Sequence, residues 1–103
     1  MMEQISIVAK RLKEARCAAG LSQKKLGIDA KIDASCASSR MNQYEKGTHM
    51  PDLLTMMNVA EALGKPLAYF YCEDDKLAEV ILKFSALGAA ERKQLLHRLA
   101  ELG

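Results

Sequence analysis

Apolar residues in this 103-residue chain recur at spacings of three and four, and no stretch alternates convincingly with a period of two. A chain patterned this way buries stripes along helices and has no strand face to offer, so an all-α fold is expected. Caps and stops then divide it into short helices. A first helix is expected from Ser6 as N-cap to Ala19, with Gly20 as a left-handed stop and Leu21 folding back on the helix end. Val8, Leu12, Ala15 and Ala19 form its apolar stripe, with Arg11 beside it. Ser22 caps a second helix ending near Ala30, and Lys31-Ile32-Asp33 reads as a turn. Asp33 is expected to cap a third helix running through Tyr44 or Glu45 and stopped by Gly47.

After a loop over Thr48-His49-Met50-Pro51, Asp52 caps a fourth helix that Gly64 and Pro66 close. Its expected inner face is Leu53, Met56 or Met57, Ala60 and Leu63. A short helical segment, Leu67 to Tyr71, follows. Asp74 or Asp75 then caps a helix bearing Leu77, Val80, Ile81 and Phe84. Gly88 breaks the run, and Glu91 stands where a capping glutamate belongs, ahead of an amphipathic helix with Leu95, Leu96, Leu99 and Leu102. The length suits one domain with a modest core, and no solenoid-type repeat is present.

Composition narrows the function. Half the residues are hydrophobic and 27% are charged, as in an ordinary folded domain. No apolar run approaches the ~18 residues of a membrane span, and Met1 to Lys10 lacks a signal peptide's apolar stretch, so a soluble cytoplasmic protein is expected. Cys17, Cys36 and Cys72 form no Cys-x-x-Cys pair and read as small buried hydrophobes, not as a disulfide or zinc framework. His49 and His97 have no ligand partner at helical spacing, Asp74-Asp75 reads as a helix-start charge pair, and no phosphate-cradling glycine loop exists. Neither catalysis nor a metal or other cofactor is therefore expected. The net charge of +2 is uneven: residues 1–50 carry nine Lys/Arg against five Asp/Glu, and the remainder six against eight. A polyanion would meet the front half.

One constellation gives that asymmetry a meaning. Leu21-Ser22-Gln23 opens a short helix, and a polar helix carries Ser38-Ser39-Arg40-Met41-Asn42-Gln43-Tyr44. The segment then closes with Glu45-Lys46-Gly47-Thr48-His49-Met50-Pro51. Ser38, Ser39, Asn42 and Gln43 share one side of a helix, with short paired donors and acceptors of the kind that read base edges. Arg40 lies toward the flank, and Met41 and Tyr44 lie opposite as anchors.

In order and spacing these blocks resemble the phage-repressor type of helix-turn-helix regulator (the Cro-like or XRE family). The flanking blocks Arg11 to Arg16 and Val59 to Gly64 extend the resemblance over roughly residues 7–70. It implies a compact lambda-repressor-like bundle of about five helices over residues 1–71, followed by a C-terminal helical extension over 72–103. It also implies base contacts from Ser38, Ser39, Arg40, Asn42 and Gln43. Gln23 resembles the residue that grips a phosphate and buttresses the recognition helix; Lys46 and Thr48 resemble backbone-clamping positions, and Arg11 is a further candidate clamp. One departure stands out: Ser22 to Tyr44 spans 22 residues, against about 18 in the family pattern, a compact turn-and-helix unit. The extra residues, Ile32-Asp33-Ala34-Ser35, either lengthen the recognition helix or bulge the turn.

The expected function is a sequence-specific transcription regulator, a repressor that binds a near-palindromic operator in double-stranded DNA as a homodimer. The C-terminal helices would dimerise the chain or cover its core. The alternative is an antitoxin or other protein-interaction module that uses the same fold and its C-terminal helices.

Overall fold

The structure, a computed structural model, describes residues 2–103, with side chains from Ile7 onward. Its described residues form seven helices and no strand: α1 (Met2–Ala18), α2 (Gln23–Asp29), α3 (Ala37–Lys46), α4 (Leu53–Leu63), α5 (Leu67–Phe70), α6 (Asp75–Ala86) and α7 (Ala89–Leu102). The first five make a helix-turn-helix bundle, and α6 and α7 extend from it. No described helix is long and apolar enough to cross a membrane.

Local chemistry sets most of the boundaries. Ser22, Asp52 and Asp74 each accept backbone N–H bonds from the first turn that follows, at 2.8–3.2 Å. Glu91 accepts from the Gly88 N–H at 3.0 Å, the reach-back half of a capping box. Gly47 sits at φ 75°, a left-handed stop that lets the chain leave α3 toward α4 without a Cβ penalty.

Two expected starts are corrected. α1 begins at Met2, so Ser6 lies inside the helix and is not its N-cap. Asp33 does not cap α3: its carboxylate accepts from the Ser35 N–H and hydroxyl at 2.9 and 2.6 Å, closing a turn of its own. Lys31 takes a left-handed φ of 69°, and α3 starts only at Ala37. The four extra residues therefore bulge the turn and leave the recognition helix short.

The core joins Val8, Leu12 and Ala15 of α1 to Leu26 of α2, Met41 and Tyr44 of α3, Met56, Val59 and Ala60 of α4, and Tyr69 and Phe70 of α5. Ala19 of the expected stripe lies just past the end of α1 and is exposed. On α4 the inner face is Met56, Val59 and Ala60, while Leu53 and Met57 are exposed. α6 docks through Ala78, Ile81 and Leu82, and its Leu77 and Val80 face outward. No residue of α7 is buried. The extension stretches the molecule to 51 × 28 × 22 Å, with a radius of gyration of 15.2 Å. A compact chain of this length would have a radius of about 13 Å. The cysteines are also corrected: Cys17 is exposed and Cys36 and Cys72 are half-buried, all with free thiols.

Candidate nucleic-acid interface

The placement of α3 begins with its buried side. Ala37, Met41 and Tyr44 recur at four and three residues and point into the core. At roughly 100° per residue, the opposite row is Ser39, Gln43 and Lys46, flanked by Arg40 and Asn42. Ser38, Ser39, Arg40 and Lys46 are exposed, and Asn42 and Gln43 are half-exposed. Ser38 turns toward the side on which Glu45 lies. Arg40 and Lys46 form no ion pair among the described residues. An open groove of about 670 Å³ runs beside this row, with Ser39, Arg40 and Gln43 on one side and His49, Asp52 and Thr55 on the other.

Close backbone packing holds α3 on α2. Gly27 is buried, and a Cβ built there would lie 2.8 Å from the Ala37 Cβ and 3.0 Å from the Ala37 carbonyl oxygen. A glycine is thus required where the two helices touch. Polar bonds complete the joint. Arg16 of α1 donates through Nε and, at 3.0 Å, Nη2 to the two carboxylate oxygens of Glu45, and through Nη1 to the Leu21 carbonyl at 2.8 Å. The Glu45 side chain is 4% exposed. Its hydrogen bond raises Arg16 above the ordinary arginine value. Gln23 Nε2 donates both to Glu45 Oε1 at 3.1 Å and to Asn42 Oδ1 at 3.2 Å.

This arrangement assigns several expected contacts to other work. Arg11 is 3% exposed and pins α1 to the start of α6. Its Nη2 reaches the Cys72 carbonyl at 2.8 Å and Asp75 at 2.9 Å, and its guanidinium lies 5.5 Å from the Tyr69 ring centre. It is part of the internal scaffold and is not positioned as a surface clamp. Both amide hydrogens of Gln23 are engaged, so its side chain buttresses α3 and has no donor left for a phosphate. Thr48 donates its hydroxyl and its N–H to the Gln43 carbonyl, both at 3.1 Å, and so finishes α3. His49 Nδ1 lies 3.0 Å from the Thr48 carbonyl. Among the described residues no group of His, Cys, Asp and Glu could hold a metal ion.

The residues that sequence reasoning missed are those that aim the helix: Arg16, Gly27, Ala37 and Glu45. Glu45 belongs to the quoted motif, but nothing in the linear pattern marks Arg16 as its partner. A glycine inside a helical pattern is the one available signal for Gly27.

Comparison with known proteins agrees with this architecture. No family model matches the chain, and no curated protein matches it. A solved structure, "Crystal structure of transcriptional regulator BswR", is 45% identical, superposes with a TM-score of 0.86, and covers 90% of this chain and 92% of its own. The chain belongs to the family of the transcriptional regulator BswR, a family of regulators and not of enzymes.

Proposed function

We propose that the protein is a DNA-binding transcription regulator that lays α3 in the major groove of double-stranded DNA. The observation that carries this reading is the outward row Ser39, Gln43 and Lys46, with Arg40 and Asn42 beside it. These groups are polar or cationic, and α3 is fixed from behind by Met41 and Tyr44. Ser39, Arg40, Asn42 and Gln43 meet base edges, with Ser38 at the margin. Lys46 and Arg40 supply phosphate attraction that weakens with salt.

The protein acts as a homodimer on a near-palindromic operator, as a repressor in the cytoplasm. Support for a second copy comes from the extension. α7 leaves Leu96, Leu99 and Leu102 exposed by 55, 49 and 80%, next to an apolar groove of about 430 Å³ lined by Val80, Ile81, Phe84 and Leu96. Two-fold pairing of α6–α7 would cover both surfaces at once and present two copies of α3 to the two half-sites of a palindrome.

Selection from random duplex DNA across a salt series tests the proposal. A two-fold symmetric motif and a steep salt slope are expected, and Arg40→Glu with Lys46→Glu should remove binding. Absent or sequence-blind binding at low salt would overturn it and favour a protein-interaction role for α6–α7.

A further inference from the structure

An asparagine on a recognition helix is ordinarily expected to read adenine, accepting from N6 and donating to N7. The surroundings of Asn42 lead elsewhere. Glu45, paired with the Arg16 guanidinium, can only accept hydrogen bonds, so the Gln23 atom 3.1 Å from its Oε1 must be the donor, Nε2. The second hydrogen of that same nitrogen points to Asn42 at 3.2 Å and needs an acceptor, which obliges Asn42 to turn Oδ1 toward it. Nδ2, with its two N–H groups, is left without a protein partner among the described residues. One buried anion therefore fixes, through two amides, which end of Asn42 is free.

We propose that Asn42 reads DNA as a donor, favouring guanine, which presents N7 and O6 as acceptors, and rejecting cytosine, which presents an N–H donor. This inference rests on the DNA-binding reading of α3. Gln23 and Glu45 act in it as positioning residues: they touch no base, yet they decide which base Asn42 accepts. Reading adenine with both ends would require Asn42 to rotate away from Gln23, leaving a half-buried N–H unpaired.

The test is selection from random duplex DNA with the full-length protein and two variants. Wild type should yield a motif in which one position per half-site favours guanine over cytosine by roughly tenfold, near the low end of what a bidentate base contact contributes. Asn42→Asp keeps the shape and still accepts from Gln23, but offers only an acceptor outward. That same position should switch to cytosine or adenine while the rest of the motif is unchanged. Gln23→Leu releases Asn42, and adenine should join guanine there.

A wild-type motif that survives both substitutions unaltered at every position would overturn the donor assignment while leaving DNA reading intact. A wild-type motif in which Asn42→Asp alters an adenine position would overturn it too. If wild type selects no motif at all, the DNA-binding reading itself fails, and this inference with it. Overall loss of affinity with unchanged base preference would mean that Gln23 and Asn42 serve only to hold the fold.

Discussion

Replacing Glu45 by glutamine removes one charge and almost no volume, and it strikes the joint that aims α3. The carboxylate is 4% exposed and its partner Arg16 is 14% exposed, so solvent screens the pair weakly. Glu45 accepts two bonds from Arg16 and one from Gln23. A glutamine amide keeps one acceptor and turns an NH2 toward groups that are themselves donors. A hydrogen bond to a charged group is worth about 1.5–3 kcal/mol. Removing one member of a fully buried pair costs about 3–5 kcal/mol. Because Arg16 keeps some access to water, a loss of roughly 2–3 kcal/mol is expected. At about 4–8 °C per kcal/mol for a domain near this size, the melting temperature should fall by roughly 10–20 °C.

Urea denaturation followed by circular dichroism, at fixed protein concentration, gives the number directly. Arg16→Met in the same background completes a double-mutant cycle, with an expected coupling of about 2 kcal/mol. A loss under about 0.5 kcal/mol, or a coupling near zero, would place this pair with exposed surface ion pairs and overturn its role as a buried joint.

Three further outcomes are expected. Gly27→Ala drives a Cβ to 2.8 Å from that of Ala37. Overpacking of about 1–3 kcal/mol, offset by up to about 1 kcal/mol of helix propensity, should lower stability by about 1–2 kcal/mol. An unchanged urea midpoint would contradict the close approach of α2 and α3. Asp75 is held below the usual carboxylate range, first by its hydrogen bond from Arg11 and then by Lys10. Its contribution is therefore complete above the unfolded value of about 4 and drains away as pH falls toward its lower folded value. Between pH 5 and 3 the melting temperature of Asp75→Asn should fall less steeply than that of wild type; parallel curves would remove Asp75 from the acid response. Leu96→Asp with Leu99→Asp changes two exposed side chains, so helix content should hold while light scattering reports half the wild-type mass. An unchanged mass would move the dimer interface off α7.

Much of the bundle is legible in the linear pattern because its causes are local. Gly47 and Gly64 stop helices through their own backbone freedom, at φ 75° and 65°, and Ser22, Asp52 and Asp74 cap the turns they precede. The motif from Leu21 to Pro51 likewise carries the helix-turn-helix unit. The turn before α3 is open from the residues alone, because an Asp33 carboxylate that accepts from the N–H groups after it serves an Asx turn as readily as a helix cap. In the folded chain Asp33 closes the turn with Ser35, and α3 starts at Ala37, where it packs closely on Gly27.

The same division holds at the site. The residue types on α3 and the anchors Met41 and Tyr44 follow from helical periodicity, which depends only on spacing. Which α4 residues turn inward, whether Arg11 lies at the surface or beneath α6, and which end of Asn42 is free follow from contacts between segments distant in sequence. Arg16 and Glu45 are 29 residues apart, and Arg11 and Asp75 are 64 apart. Charge and hydrogen-bond direction are properties of pairs, and a pair exists only once the chain has folded. Local patterning sets the helices and their chemistry, and long-range packing selects which of those groups remain free to meet a partner.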